Sequence, residues 1–449
     1  MVHTLTRRGF VQASSLAAAL AAITASSGCS GSSSSGGDSK TLTYWASNQG
    51  TSIDADKEAL TPLLETFTED TGITVNLEVI GWNDLQTRIQ TAVTSGDAPD
   101  VVNIGNTWAV SLQATGAFLE LDDEAMTAVG GANKFVATAL ETCGAAETVP
   151  TSLPLYGLAY GLYYNRKMFS DAGLEPPRTW EEMVEAAKRL TSAANGVYGL
   201  SLAAGSYTEN AHYAFINAAQ NGSDLFDDQE NPTFTGQGVV DGILRYLDLM
   251  QTDKVVNTSN AQYDNGTDSV ADFANGKAAM IINQNNADTT IAANGMTSEA
   301  FGVVPYPAPK AATSDVASHV AGINISVFAS TKNRDGALQL VKFLTEPAQQ
   351  ATLGSAFTTL PVLKDEAPTF TEDQEEITTF TEVYEKRSKP LPLVPAEDQF
   401  ESTVGQAMND MFAKIATGSV LTADDVRTAL QSAQDSVSAA IGWPVMSTR

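Results

Sequence analysis

The sequence predicts an α/β protein with two domains, and two observations lead to this prediction. Short apolar segments with the alternating pattern of β-strands are interleaved with amphipathic segments of helical period along the whole chain. The 449 residues of the chain also exceed what one hydrophobic core usually supports, which favours two domains.

Residues 1–28 have the parts of an export signal. Arg7 and Arg8 precede an apolar run over residues 11–25, which is shorter than the roughly 20 residues that a membrane-spanning helix needs. The arginine pair resembles the twin-arginine motif of bacterial export. The alternative is an ordinary secretion signal in which two basic residues are adjacent by chance. Either signal predicts an exported protein.

Cys29 resembles the cysteine that bacterial lipoproteins modify with lipid, although Ser26 stands where that pattern prefers leucine. Residues 29–39 are mostly Ser and Gly, a composition typical of a flexible tether. We therefore expect a lipid anchor that holds the protein at the extracellular face of the cell membrane, or in the periplasm. The alternative is a chance cysteine near a signal-peptidase site. Cys143 is the only other cysteine, so an acylated Cys29 leaves it without a disulfide partner.

The chain is strongly acidic, with 25 basic and 53 acidic residues and a net charge of −28. Removal of residues 1–28 takes away two arginines and no acid, which leaves 23 basic and 53 acidic residues and a net charge of −30. Such a charge argues against nucleic acid and against anionic membrane surfaces as partners.

The first elements of the chain alternate strand, helix, strand, helix, strand. The strands are LTYW (42–45), ITVNLEVI (73–80) and PDVVNI (99–104). Between them, apolar residues at helical spacing predict two helices: Leu60, Leu63, Leu64 and Phe67 in the first, and Leu85, Ile89, Ala92 and Val93 in the second. This order predicts parallel pairing with helical crossovers. Ligands of such sheets bind at the carboxyl ends of the strands, here residues 45–49 and 104–108.

Later elements follow the same pattern. Thr179 and Glu182 form a capping box at the start of a helix. AAMII (278–282) and INISVFA (323–329) read as buried strands, and an amphipathic helix after the second ends before Pro347. Two more helices follow near the C-terminus, the last capped by Thr422 and Asp425. The acidic stretch 372–376 is predicted to be a solvated face.

Five segments in this order resemble the extracellular solute-binding proteins of carbohydrate ABC importers, of which the maltose-binding protein is the familiar example. They are GDAPDVVNIGNTWAVSLQATGAFLELDD (96–123), LPLYGLAYGLYYNRKMFSDAGLEPPRTWEEM (153–183), FANGKAAMIINQ (273–284), AGINISVFASTKNRDGALQLVKFL (321–344) and IATGSVLTADDVRTALQSAQDSV (415–437). The resemblance implies a two-lobed periplasmic-binding-protein-like fold with a ligand cleft between lobes joined by hinge crossings. Lobe one would comprise 40–155 and 324–360, and lobe two 156–322 and 361–449.

The segments that this family places at the cleft contain no Lys or Arg but many aromatic, amide and acidic residues. Aromatic rings match the apolar faces of a sugar, and amides and carboxylates match its hydroxyl groups. A phosphorylated or carboxylated ligand would favour arginine or lysine there. We expect these residues to contact the ligand: Trp45, Asn48, Gln49, Asn106, Thr107, Trp108, Tyr156, Tyr207, Glu209, Asn210, Asn285, Asn286, Asp288, Gly322, Asn324 and Phe400.

Each of these residues also has a purely structural interpretation. Trp45 and Trp108 end strands and can be core or sugar platform, whereas Tyr160 is assigned to the core. The four amides at 283–286 can form a plain turn, although four in a row exceed what a turn requires. Family members often carry an aromatic near Asn286, and its absence leaves stacking there open. Gly322 can serve a hinge, a bulge or a close approach of backbone to ligand.

The function predicted from these residues is that of a binding protein and not an enzyme. After export, two histidines remain, His212 and His319, and no metal-spaced cluster, nucleophile elbow or phosphate-binding loop is present. We expect no cofactor or metal, and the ATPase would be a separate polypeptide. The expected protein is a monomer that binds a neutral sugar or oligosaccharide by hinge closure and delivers it to the ABC transporter permease. The alternatives are a polyamine or other cationic solute and, more distantly, a secreted glycoside hydrolase.

Overall fold

The computed structural model describes residues 40–441, and the structural findings below concern this part of the chain. The predictions for the export signal, for Cys29 and for the tether lie outside the described residues. Among residues 40–441, no helix combines the length and the apolar character needed to cross a bilayer.

Strands and helices alternate along the described chain, as the sequence predicts. The strands are β1 (Thr41–Ser47), β2 (Thr74–Ile80), β3 (Val101–Gly105), β4 (Ser152–Leu158), β5 (Tyr160–Asn165), β6 (Tyr198–Ser201), β7 (Ala278–Gln284), β8 (Phe301–Pro305), β9 (Ser318–His319), β10 (Ala321–Val327) and β11 (Ser388–Lys389). The helices are α1 (Ile53–Thr71), α2 (Trp82–Ser95), α3 (Ala109–Ala114), α4 (Asp123–Ala128), α5 (Ala137–Leu140), α6 (Arg166–Asp171), α7 (Trp180–Leu190), α8 (Tyr207–Gln220), α9 (Gln237–Gln251), α10 (Gly266–Ala274), α11 (Ala287–Ala293), α12 (Arg334–Leu344), α13 (Pro347–Phe357), α14 (Gln374–Lys386), α15 (Glu397–Ala416) and α16 (Ala423–Ile441).

Two main sheets organise these elements. The first has the strand order β2-β1-β3-β10-β4. Its strands β1, β2 and β3 are parallel, which confirms the predicted crossovers, while β10 runs antiparallel to both neighbours. The second sheet has the order β6-β7-β5-β8. There β5 is antiparallel to β7 and β8, and β6 is parallel to β7.

Local signals in the sequence fix the ends of the helices. Ser52 caps the start of α1 by accepting a hydrogen bond from the backbone N–H of Ala55, and Gly72 ends that helix at φ 71°. A positive φ is open to glycine at little cost, so the helix stops there. Thr179 likewise caps α7 by accepting from the N–H of Glu182. The predicted N-terminal cap of α7 is therefore confirmed.

Each sheet has its own hydrophobic core. The core around the first sheet includes Leu64 of α1, Ile325 of β10 and Leu344 of α12. A larger core surrounds the second sheet and takes in α8, α9, α15 and α16. A smaller cluster with Ile89 and Trp108 covers the other face of the first sheet. Burial of these apolar side chains stabilises the fold by about 25 cal/mol per Å².

The acidic stretch 372–376 is not wholly solvated, so that prediction is wrong at Glu376. This side chain is only 3% exposed and packs where α14 covers the second sheet. The pattern around Glu376 does not reveal this burial, because its acidic neighbours Glu372 and Glu375 are exposed.

Candidate functional site

A cavity of about 420 Å³ is lined by residues that flank both sheets. One side consists of the β1–α1 loop, the start of α2, and the 3-10 turn Asn106–Trp108 that follows β3. The other side consists of the first turns of α8 and α10 and the end of β7. The carboxyl ends of β1 and β3 thus border the cavity, as expected for a ligand site on such a sheet.

The lining combines amides, hydroxyls, acids and rings. No Lys or Arg lines the cavity within residues 40–441. Three carboxyl groups, those of Asp84, Glu209 and Asp264, are the acids of the lining. The amides are Asn48, Gln49, Asn106, Asn265, Asn283, Gln284 and Asn286, and the rings are Trp82, Trp108, Tyr160, His212 and His319.

Half of the predicted ligand contacts meet at this cavity. They come from five segments that are far apart in sequence. They are Asn48, Gln49, Asn106, Thr107, Trp108, Glu209, Asn286 and Gly322.

Four other predicted contacts are held in the core and do not line the cavity. Phe400 is 0% exposed and packs on Phe234, with ring centroids 5.6 Å apart. Tyr156 packs edge-on against Phe357 in the core of the first sheet. Their apolar surface is used for packing. The other two are amides that bind backbone: Asn324 donates to the carbonyl of Thr142, and Asn285 accepts from the N–H of Ala159 and donates to the carbonyl of Thr358.

The remaining four predicted contacts do not line the cavity, and three of them have polar or charged partners elsewhere. The guanidinium of Arg88 lies 4.5 Å above the ring of Trp45. The hydroxyl of Tyr207 lies 3.4 Å from Oε1 of Gln86. The Nδ2 group of Asn210 donates to Ala204 and Asn409. The last of the four is Asp288. Burial raises the pKa of this carboxyl, and its Oδ1 has no hydrogen-bond partner within the described chain. The geometry favours structural roles for these side chains.

Sequence reasoning missed several residues of the lining, and Trp82 is the clearest. This side chain begins α2, and its Nε1 donates to the carbonyl of Asn48 at 2.7 Å. The ring meets Trp108 edge-on at 5.5 Å. Trp82 lies two residues after the end of β2, so the strand-end signal would have found it had the end of this strand been considered beside those of β1 and β3. Tyr160 is buried, as predicted for a core residue, yet it also lines the cavity.

A buried carboxylate shapes the β1–α1 loop. Asp56 is 0% exposed and accepts hydrogen bonds from the N–H of Gln49 at 2.6 Å, the N–H of Gly50 at 2.7 Å and Nδ2 of Asn48 at 2.9 Å. Burial raises the pKa of Asp56 in spite of these bonds. A Cβ on Gly50 would lie 2.6 Å from Oδ1 of Asp56, so this loop needs glycine there. The loop thereby presents Asn48 and Gln49 to the cavity.

Glu401 organises the inner wall of the cavity. Its Oε2 accepts from Nε1 of Trp108 at 2.8 Å, and its Oε1 lies 3.2 Å from Nε2 of His212. The hydroxyl of Tyr160 lies 3.0 Å from Nδ1 of the same histidine. Burial alone would raise the pKa of Glu401, but hydrogen bonds from His212, Trp108 and Thr107 hold it below its ordinary value. This network joins the turn after β3 to α15 and α8.

Glu209 and Asn283 border one small part of the cavity beside Gly266. No hydrogen bond of the Glu209 carboxyl is present within residues 40–441, and Nδ2 of Asn283 is buried without a partner. Burial raises the pKa of Glu209 to about 8. The carboxyl group is therefore largely protonated at neutral pH.

The cavity does not resemble a metal centre. Within residues 40–441, no group of three or more His, Cys, Asp or Glu side chains is arranged to hold a metal ion. Cys143 is buried with a free thiol, and burial raises its pKa to about 12. The amide, hydroxyl and carboxyl groups of the lining can form hydrogen bonds with a ligand, and its rings can contact apolar surface.

Comparison with known proteins links this architecture to one family. The family model for the bacterial extracellular solute-binding protein matches residues 50–351. A putative binding protein of Brucella abortus is 23% identical over 351 residues, which cover 77% of this chain and 82% of the relative. The multiple sugar-binding protein of Streptococcus mutans is 25% identical over 318 residues, which cover 69% of this chain and 71% of the relative.

Solved structures share the fold. A solute-binding protein of an ABC transporter from Thermotoga lettingae, bound with α-D-tagatose, superposes with a TM-score of 0.76 at 22% identity and covers 90% of this chain and 100% of its own. The maltotriose-binding protein of Thermus thermophilus, bound with maltotriose, has a TM-score of 0.71 at 20% identity and covers 89% and 100%. The described chain thus has the two-lobed α/β architecture predicted from its sequence.

Proposed function

Because the chain belongs to the bacterial extracellular solute-binding proteins of ABC transporters, we propose that it binds a neutral sugar or oligosaccharide in the cavity described above and delivers it to a transporter permease. The family consists of binding proteins and not enzymes. The ligand would leave the protein chemically unchanged. The cleavage of a saccharide would instead favour the glycoside hydrolase alternative.

The composition of the cavity lining is the observation that carries the proposal. Amides and hydroxyls can bind the hydroxyl groups of a sugar, and the half-buried ring of Trp82 can meet its apolar surface. Trp108 and Tyr160 also line the cavity but are only 3% and 2% exposed. The lining of the described chain offers no Lys or Arg to an anionic ligand. A volume of about 420 Å³ lies within the range of small-molecule sites.

The names of several similar proteins agree with this ligand class, whereas one curated relative from Sinorhizobium fredii is named as a probable amino-acid ABC transporter periplasmic-binding protein. Solved neighbours are bound with α-D-tagatose, ribitol or maltotriose. Curated relatives include a diacetylchitobiose-binding and a mannitol-binding protein. These ligands share hydroxyl groups and differ in length. We therefore propose the class of ligand and leave its length to experiment.

Ligand binding would act by hinge closure of two lobes, 40–155 with 324–360 and 156–322 with 361–449. A ligand that touches both lobes favours the closed state by the difference between its affinities for the closed and open states. Closure of this kind is an established mode for such receptors. The permease would then recognise the closed form.

The remaining parts of the proposal concern location and assembly. The segment 1–28 would export the chain through a twin-arginine signal. A lipid on Cys29 and the tether 29–39 would then hold the monomer at the outer face of the membrane. Metabolic labelling with a radioactive fatty acid tests the anchor, because label should enter the wild type and be absent from Cys29→Ala. Equal labelling of both would contradict the anchor.

One observation favours a second candidate, a cationic solute such as a polyamine. The cavity lining contains the acids Asp84, Glu209 and Asp264 and, within the described chain, no basic partner for them. Ammonium groups could pair with carboxylates and stack on the rings. In that case, replacement of Glu209 should abolish binding.

A thermal-shift screen of the chain from residue 40 onwards tests the proposal. The probes are D-tagatose, ribitol, maltose, maltotriose and spermidine. A ligand at 100 times its Kd adds about 2.7 kcal/mol to the free energy of unfolding, which is readily measured. At least one saccharide or polyol should raise the melting temperature and spermidine should not. A shift with spermidine alone would favour the polyamine alternative.

A further inference from the structure

The part of the cavity beside Gly266 contains two unpaired polar groups of opposite kind. The carboxyl of Glu209 comes from the first turn of α8, and the amide of Asn283 comes from the end of β7. Both lie beside Gly266, the first residue of α10. A Cβ built on Gly266 would lie 2.8 Å from Nδ2 of Asn283 and 3.0 Å from Oε1 of Glu209. The two atoms therefore border the same small space, which the absence of a side chain at Gly266 leaves open.

The identity of each group follows from its neighbours. The Oδ1 atom of Asn283 accepts the backbone N–H of Gln284 at 2.8 Å, so the amide must present its Nδ2 donor on the other side. That donor is buried without a partner, which is unfavourable unless a ligand or water fills the gap. Glu209 adds a carboxyl group with no hydrogen bond within the described chain. One unpaired donor thus lies beside an unpaired carboxyl.

We propose that Glu209 and Asn283 together bind a single hydroxyl group of the ligand, an inference that rests on the function proposed above. A hydroxyl oxygen can accept from Nδ2 of Asn283 while its hydrogen is donated to the carboxyl of Glu209. An ammonium group has three donors and no acceptor, so it would satisfy Glu209 and leave the N–H of Asn283 facing a cation. The pair thereby selects a polyol or sugar over a polyamine.

Protonation of Glu209 is compatible with this role. Burial raises the pKa of this carboxyl to about 8. A neutral carboxyl can still accept from a hydroxyl through its carbonyl oxygen, whereas a cation would have to displace its proton. Binding of a hydroxyl ligand should therefore release no proton at pH 6.5, and binding of a cation should release up to one. Calorimetry in two buffers of different ionisation enthalpy measures this difference.

Substitutions distinguish a hydroxyl ligand from a cationic ligand, because Asn283→Asp should change the two Kd values in opposite directions. Asn283→Asp keeps the acceptor for Gln284 and replaces the donor with a carboxylate. It should raise the Kd for a sugar about 10-fold or more, and it would lower the Kd for spermidine. Glu209→Leu removes the acceptor and should also raise the Kd for a sugar about 10-fold, whereas Glu209→Gln keeps a carbonyl acceptor and should bind the sugar nearly as wild type does. Exposed residues provide matched controls: Asn195→Asp and Glu385→Leu should leave the Kd within about twofold.

Gly266→Ala tests the shared space directly. The added methyl group would occupy the gap between the two polar atoms, so sugar binding should weaken about 10-fold or more. The φ of Gly266 is not positive, so the backbone admits alanine, but the added methyl group would press on Nδ2 of Asn283 at 2.8 Å. The melting temperature of the free variant is therefore measured beside its affinity, and the titration is carried out at a temperature at which the variant is folded. A fall in affinity without a fall in stability separates loss of the site from loss of the fold.

The decisive experiment is calorimetric titration of wild type and variants with whichever of D-tagatose, ribitol, maltose and maltotriose stabilises the wild type, and with spermidine. The proposal predicts weaker sugar binding in Asn283→Asp, Glu209→Leu and Gly266→Ala, with both controls unchanged. Sugar binding that is unchanged in Asn283→Asp overturns this inference and leaves the proposed function standing. Binding of spermidine alone overturns both.

Discussion

Glu401 shows how one buried carboxylate orders the cavity wall. It is 1% exposed and lies one turn into α15, where Trp108 and His212 both contact its oxygens. An ionised carboxylate only accepts hydrogen bonds, so Nε2 of His212 carries the hydrogen that faces it. Removal of the carboxylate would leave two buried N–H groups without partners.

Stability should therefore fall in Glu401→Ala. We expect a loss of about 3 kcal/mol in the free energy of unfolding, since the buried N–H groups of Trp108 and His212 would lose their acceptor. Urea denaturation of the free protein at pH 7 measures this loss. Glu385→Ala, an exposed residue of α14, is the control and should stay within about 0.5 kcal/mol. Equal stability of the two variants would contradict the role of Glu401.

Glu376 should make stability fall as the pH rises. Burial is the largest cause that raises the pKa of this carboxyl, and the neighbouring carboxyl of Asp288 raises it further. The folded state therefore holds the proton more tightly than the unfolded chain does. This contribution is fully present below the ordinary carboxyl pKa of about 4.3 and is lost as the pH rises towards the raised folded value.

Glu376→Gln should remove this loss, because an amide stays neutral at all pH values. We expect the variant to be about 1–2 kcal/mol more stable than wild type at pH 9, with a smaller difference at pH 5. Melting curves across pH 5–9 measure both. The exposed neighbour provides a control in Glu375→Gln, which should follow the wild-type curve. A gain that is as large at pH 5 as at pH 9 would contradict the titration.

At the scale of elements, the β1–α1 loop depends on a residue outside the cavity lining. Asp56 holds the backbone of Gln49 and Gly50 and the side chain of Asn48. In Asp56→Ala these donors lose their acceptor, and we expect a loss of about 2 kcal/mol in stability together with weaker ligand binding. Titration with a stabilising saccharide measures the second effect. Asp54→Ala, at an exposed position of the same helix, should change neither, and unchanged affinity in Asp56→Ala would refute the role of Asp56.

Secondary structure was largely predictable because its causes are local. The expected strand 73–80 is observed as Thr74–Ile80, and the expected strand 278–282 as Ala278–Gln284. Alternation of apolar side chains and a glycine or cap at the boundary suffice for such segments. The antiparallel position of β10 between β3 and β4 could not be derived from periodicity, since it depends on a chain that returns from the second sheet.

The site was only partly predictable, because whether a side chain lines the cavity depends on how its neighbours in the fold pack around it. Asn106, directly after β3, and Asn324, in the middle of β10, are both amides that the sequence assigned to the ligand, yet only Asn106 lines the cavity. The Nδ2 group of Asn324 is turned towards Thr142 and Ser152 in the core. Asn283, by contrast, was passed over as part of a run of amides, and its unpaired donor is visible only once β7 and α10 are brought together.

At the scale of the whole molecule, elements next to both sheets line the same cavity. The hydrogen bond from Trp108 to Glu401 and the contact of Tyr207 with Gln86 connect residues next to the first sheet with residues next to the second. An opening hinge would have to break these contacts. A ligand that adds bonds on both sides would shift the population towards the closed form in proportion to its preference for that form.

Small-angle X-ray scattering of the chain from residue 40 onwards tests the central claim most directly, that an uncharged sugar in the cavity closes the two lobes. The measurement compares the free protein with the same sample saturated by a saccharide that raises its melting temperature. A smaller radius of gyration in the presence of the saccharide is predicted. Superimposable scattering curves for the free and saturated protein would contradict closure by sugar.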